Sequence, residues 1–135
     1  MDEINVYIEA EVNPTEDIDK VRRAVENVFG KVEFEVKPKK RGSILVVKAK
    51  GLDGLTKLRN LLRREQIRDA ARGALFEGLS EKSIIFYLNK QVAYVSHISF
   101  SGPEAESPLG PIKVRIQCDN PRELIDWLAP KTIKR

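Results

Sequence analysis

Two different apolar periods take turns along this chain, and their order restricts the fold more than any other feature. Ile4, Val6, Ile8, Ala10 and Val12 fall on every second residue, the spacing of a strand with one buried face. Val32, Phe34 and Val36 alternate again, as do residues 44–50 around Val46. These two runs flank Lys37-Pro38-Lys39-Lys40-Arg41-Gly42, which predicts a β-hairpin with a basic tip. Between the first strand and the hairpin, Ile18, Val21, Val25, Val28 and Phe29 keep helical spacing up to Gly30, a natural stop. Asn13-Pro14-Thr15-Glu16 reads as the start of that helix, with Asn13 as N-cap and Glu16 closing a capping box.

The second half repeats the alternation. Residues 52–79 are helical in character, with one stripe at Leu55, Leu58, Leu61 and Leu62 and another at Ile67, Ala70, Ala71, Ala74 and Leu75. Arg63 to Gln66 interrupts the period, so one bent helix and two separate helices both fit. Ser83–Leu88 and a piece near Val95–Phe100 read as strands, residues 101–110 as a loop, and Ile112, Val114, Ile116 and Cys118 as a last strand. Asn120-Pro121-Arg122-Glu123 repeats the cap chemistry before a short helix carrying Leu124, Trp127 and Leu128. The order β-α-β-β-α-β-β-α predicts an α+β fold, one domain over residues 1–135. It should be a two-layer sandwich with helices on one face of a mostly antiparallel sheet.

Charge is distributed unevenly. Residues 37–72 hold twelve of the 24 Lys and Arg against three acidic residues, a local net of +9, while residues 1–36 carry a net of −6. A field polarised in this way draws polyanions to one place. Arg64, Arg68 and Arg72 recur every four residues and in one helix would form a row about 6 Å apart. Their planar donor forks suit phosphate and can stack on bases. Arg63 and Gln66 flank the row, and Gln66 is suited to a base edge or a 2′-hydroxyl. Lys37, Lys39, Lys40 and Arg41 surround the hairpin tip, a shape able to enter a groove. Most aromatic residues sit at core-like positions and only Tyr7, Tyr87 and Tyr94 suit an exposed platform, so structured RNA read by shape and backbone is favoured over stacked single strands.

Catalysis, by contrast, lacks a constellation. His97 is the only histidine and Cys118 the only cysteine, and the latter falls on the apolar parity of its strand. No phosphate-binding glycine motif occurs among the eight glycines. The acidic residues Glu9, Glu11, Glu16, Asp17 and Asp19 suit a solvated strand and a helix's first turn better than a metal site. The reading is therefore of a non-enzyme with no cofactor and no metal. The single cysteine, an acidic start (Met-Asp-Glu-Ile-Asn) and apolar runs no longer than Ile44–Val47 indicate a cytoplasmic protein without a membrane segment.

Several motifs carry a resemblance: Asn13-Pro14-Thr15-Glu16-Asp17, Gln66-Ile67-Arg68-Asp69-Ala70-Ala71-Arg72, Asn89-Lys90-Gln91-Val92-Ala93, Ser107-Pro108-Leu109-Gly110-Pro111-Ile112 and Leu128-Ala129-Pro130-Lys131-Thr132. With them the chain closely resembles an archaeal family of functionally uncharacterised small proteins. That family is grouped with predicted RNA-binding proteins, and its fold is like that of the ribosomal protein holding 5S ribosomal RNA. The departure is Val92, where a small residue is usual after Lys-Gln. The resemblance implies RNA as partner and, through a more distant branch, an RNA-processing complex such as the RNA-degrading exosome. Where family motif and charge coincide it points to Arg68, Arg72, Lys90 and Gln91, although Lys90-Gln91 serves equally well to end a strand. The Ser107–Pro111 turn is either a rigid entry to the last strand or a docking surface. The expectation is an RNA-binding domain acting through hairpin tip and arginine row on folded ribosomal or other structured RNA; its alternative is a protein-interaction module, a homodimer or a subunit of an RNA-processing assembly.

Overall fold

A computed structural model describes residues 3–102 and 110–132. It contains six strands: β1 (Asn5–Val12), β2 (Phe34–Pro38), β3 (Ser43–Lys50), β4 (Ser83–Asn89), β5 (Phe100–Ser101) and β6 (Pro111–Gln117). Five α-helices join them: α1 (Ile18–Phe29), α2 (Thr56–Arg64), α3 (Arg68–Glu77), α4 (Lys90–Tyr94) and α5 (Pro121–Leu128), with a 3-10 turn at Leu52–Gly54. The strands form one sheet in the order β2-β3-β1-β6-β4-β5, and every pairing is antiparallel. The α+β architecture expected from the two periods is the one observed. No helix among the described residues is long and apolar enough to cross a membrane.

Register shows why the alternation gives two layers. Val6 faces Ala49 and Ile116, Ile8 faces Val47 and Val114, and Ala10 faces Leu45 and Ile112. Directly opposed residues share a face, so these side chains form one apolar surface, continued by Ile84, Phe86 and Leu88 of β4. It is buried together with Val21, Val25 and Val28 of α1, Leu58 and Leu62 of α2, Leu75 of α3 and Leu124 of α5. The opposite face carries Tyr7, Glu9, Lys48, Lys113 and Arg115. Cys118 joins the core and its thiol is pushed up, by burial above all.

Residues 52–79 resolve into two helices for a geometric reason. Leu62 and Ala71 are both fully buried, yet nine residues apart in an unbroken helix they would point in opposite directions. Gln66 breaks the helix by taking a left-handed backbone (φ 56°), and Ile67 is drawn onto the core. The arginine row therefore does not exist: Arg64 ends α2, and Arg68 begins α3 on a new axis.

Other expectations are corrected by tertiary contacts. Asp17, not Asn13, caps α1, its side chain accepting from the Asp19 N–H. Asn13 to Glu16 instead forms a turn, with the Glu16 N–H donating to the Asn13 carbonyl at 2.9 Å. The strand near Val95–Phe100 shrinks to Phe100–Ser101, because Lys90–Tyr94 is a short helix and His97 lies in the loop after it. Asn120 does cap α5, accepting from the Glu123 N–H at 3.2 Å, and proline opens the helix. Of the Ser107–Pro111 motif, residues 107–109 lie outside the described residues; Gly110 has φ 84° and Pro111 opens β6.

Candidate nucleic-acid interface

The twelve cations of residues 37–72 do not converge on one face, and their fates differ. Lys37 lies in β2, while Lys39, Lys40 and Arg41 lie in the connection between β2 and β3; all four are exposed. The connection is closed by the Lys39 N–H donating to the Gly42 carbonyl at 3.1 Å. Gly42 is required there: its φ is 74°, and a Cβ would collide with the Val12 carbonyl of β1. Lys39 is committed, its ammonium 2.7 Å from the Glu11 carboxylate. Lys48 lies on the open face of the sheet and Lys50 at its end, 3.9 Å from Glu3.

The remaining cations belong to the helix layer. Lys57 donates to the Glu26 carbonyl at the end of α1 (3.0 Å). Arg59 donates to the Trp127 carbonyl (2.9 Å) and lies 5.1 Å over that indole ring. Arg72, expected to contact RNA, instead secures α5: it is 2.8 Å from Asp126, donates to the Ala129 carbonyl at 3.2 Å and lies 5.0 Å over Phe76. With 16% of its side chain exposed, it is a packing residue as much as a charge.

Lys90 lies inside the protein. It is the one buried polar or charged residue among those described, 4% exposed. Its ammonium donates to the Glu11 carbonyl (2.7 Å) and to Glu16 Oε1 (2.8 Å). Burial pushes the Glu16 carboxyl up, but hydrogen bonds from Lys90 and from the Asn13 backbone and side chain outweigh it and hold the carboxyl below its usual value. Lys90 thereby ties the start of α4 to the end of β1 and to the turn before α1. Gln91, its neighbour, is exposed on α4 and lines a cleft of about 380 Å³ with Thr15, Lys20 and Tyr94.

What remains is a corner. At the α2–α3 turn Arg63, Arg64 and Gln66 are exposed and Arg68 is half-buried. The acidic residue in this stretch, Glu65, is turned inward: 16% of its side chain is exposed and its Oε1 accepts from the Ile98 N–H at 3.2 Å. Arg64 reaches the Ser96 carbonyl at 3.3 Å and lies 3.9 Å from Glu65, yet keeps 63% of its side chain in solvent. Arg63 and Arg68 have no ion pair among the described residues. Beside His97, 3.5 Å from Glu65 Oε2, the corner presents guanidinium groups outward and its carboxylate inward. Such an arrangement can bind phosphate oxygens or a planar base edge.

One feature of the sheet's open face escaped sequence reading. Lys48, Tyr7 and Arg115 stand in one cross-strand row, and the Arg115 guanidinium lies 5.0 Å over the Tyr7 ring. Lys113 faces Tyr87 in the next row, which also holds Glu9. The signal was available in the polar positions of β1 and β6, but it needs the order of the strands to become a row.

Comparison with known proteins shows the family. A family model described as RNA binding matches residues 5–118. The UPF0201 protein of Pyrobaculum islandicum is 46% identical over 125 residues, covering 92% of this chain and 87% of the relative. That of Sulfurisphaera tokodaii is 49% identical over 132 residues, covering 96% and 89%. The chain belongs to the UPF0201 family of archaeal proteins. A 2.2 Å crystal structure of the UPF0201 protein from Methanococcus jannaschii superposes with a TM-score of 0.84 at 36% identity, covering 96% of this chain and 95% of that one. A DUF54 protein from Methanothermobacter thermautotrophicus, 22% identical with a TM-score of 0.61, shares the UPF0201 fold alone, covering 94% of this chain and 99% of its own.

Proposed function

We propose that this protein binds structured RNA through the α2–α3 corner, with Arg63, Arg64, Gln66 and Arg68 as primary contacts. Lys40 and Arg41 in the hairpin connection form a second, sequence-independent contact. The observation that carries the reading is the inward turn of Glu65, with 16% of its side chain exposed and accepting from the Ile98 N–H. Beside it Arg64 keeps 63% of its side chain in solvent, and Arg63 and Arg68 make no ion pair among the described residues. The family description as RNA binding supports it. Phosphate would be held by the arginine forks, and the exposed Gln66 amide would meet a base edge or ribose hydroxyl. No proton transfer or covalent step is required, and the reading takes the protein to act in the cytoplasm, without a cofactor.

Titrating a folded ribosomal RNA fragment at several salt concentrations tests this. Affinity should fall steeply with salt, and each arginine removed at Arg63, Arg64 or Arg68 should lower the slope of log K against log salt by about 1. Equal affinity and slope in the triple alanine variant would sink the assignment of the corner. A shallow slope in the wild-type protein would sink the electrostatic reading altogether.

A further inference from the structure

β2 stands at one end of the sheet, paired with β3 on a single side. All five of its residues are exposed, and two of them, Phe34 (39%) and Val36 (42%), are large apolar side chains. An open edge of this kind offers unpaired N–H and C=O groups to another strand. We propose that β2 is a homodimer interface, on which a second copy of this chain pairs antiparallel about a two-fold axis through Val36. The inference rests on no part of the RNA reading.

The hairpin decides which backbone groups are free. Lys39 bonds across to Gly42, so its N–H points toward β3. Backbone direction alternates along an antiparallel strand, so Lys37 and Glu35 also point toward β3 while Phe34, Val36 and Pro38 point away. Pro38 therefore occupies an outward position where its missing N–H costs the ladder with β3 nothing. With Val36 on the axis, the two Val36 residues exchange both N–H···O bonds, and each Phe34 N–H meets the Pro38 carbonyl of the partner subunit.

Charge selects that register. The segment reads Glu33-Phe34-Glu35-Val36-Lys37-Pro38-Lys39. Centred on Val36, Glu35 faces Lys37 of the partner subunit on both sides of the axis. Centring on Glu35 or Lys37 opposes two like residues directly; centring on Phe34 sets Glu33 against Glu35, and on Pro38 sets Lys37 against Lys39. Opposite charges facing across strands stabilise pairing and like charges oppose it. Lysine and proline commonly protect edges from association; here they exclude the wrong registers and admit one. An isologous contact of this kind closes on itself and leads to a dimer, not a fibre. On the helix-side face, Val36 would meet Val36 and Phe34 would meet Pro38, covering the apolar side chains that β2 exposes.

Sedimentation equilibrium of the full chain should show a concentration-dependent dimer. Lys37→Glu and Glu35→Lys should each raise the dimer dissociation constant by about tenfold or more. Mixing these two variants should restore dimer formation, because every cross-strand pair in the heterodimer is again opposite in charge. Register has its own readout: axial residues stand about 5.5 Å apart between Cα atoms, within disulfide reach, so Val36→Cys should crosslink on mild oxidation and Glu35→Cys should not. A wild-type monomer over the whole concentration range, or a dimer indifferent to both charge reversals, would overturn the proposal. Preserved circular dichroism in the variants would exclude misfolding as the cause.

Discussion

Lys90 and the α2–α3 corner show two opposite uses of a cation in one small fold. Lys90 is shut inside, donating to Glu16 and to the Glu11 carbonyl, and ties the start of α4 to the end of β1 and the turn before α1. Arg63, Arg64 and Arg68 stand at a surface turn whose carboxylate faces the interior. The difference teaches that a positive side chain is defined by its surroundings. A buried ammonium whose partner is removed is an uncompensated charge, whereas an exposed guanidinium without a partner is simply solvated and free to meet a ligand.

The largest break in that contrast should come from Lys90→Ala, which leaves the Glu16 carboxylate without its charged partner. We expect a loss of about 3–5 kcal/mol in urea unfolding, and a loss below about 1 kcal/mol would show that the pair adds little. Next comes Arg72→Ala, which frees Asp126 and the Ala129 carbonyl and uncovers Phe76. It should cost about 1–3 kcal/mol, and RNA affinity measured on the folded variant should not move.

Acid should loosen the Lys90–Glu16 site. The Glu16 carboxyl is held below its ordinary value of 4.5 in the folded chain. Its stabilising contribution is thus fully present above that value and is lost as pH falls through the lower folded one. Subtracting the stability-against-pH curve of Glu16→Gln from that of the wild type isolates the effect, and a difference that does not shrink toward low pH would contradict it. The smallest stability change belongs to the Arg63→Ala and Arg64→Ala pair, within about 0.5 kcal/mol of wild type, although RNA affinity should suffer most there. A variant that lost stability as Lys90→Ala does would erase the distinction between the two regions.

Much of this was legible in the sequence. The strand alternations of Ile4–Val12 and Ile112–Cys118 were read with their buried faces. The hairpin at Lys37 to Gly42 was legible too, but not its buried face, which takes Leu45 and Val47 in place of Val46 and leaves Phe34 and Val36 exposed. The split of the middle helix was legible in principle, since Leu62 and Ala71 cannot both be buried on one straight helix, although the arginine spacing at 64, 68 and 72 suggested a continuous row. The fates of Lys39, Arg72 and Lys90 were not legible. Their partners come from Glu11, from Asp126 and Ala129, and from Glu16, and no local pattern announces those meetings.

The amino-acid order alone settled the long strands and helices, α4 and the short β5 excepted, and the water-shunning side of β1, β6 and α1. Those properties follow from backbone geometry within a few residues, where side chains repeat every two or every 3.6 positions. Tertiary structure decided which charges are spent on holding the fold and which face solvent. Lys90 and Glu16 lie 74 residues apart in sequence, and Arg72 and Ala129 are 57 apart. Electrostatic and hydrogen-bond energies depend on a few ångströms of separation and on the water between, and those distances exist only once the sheet has brought the segments together.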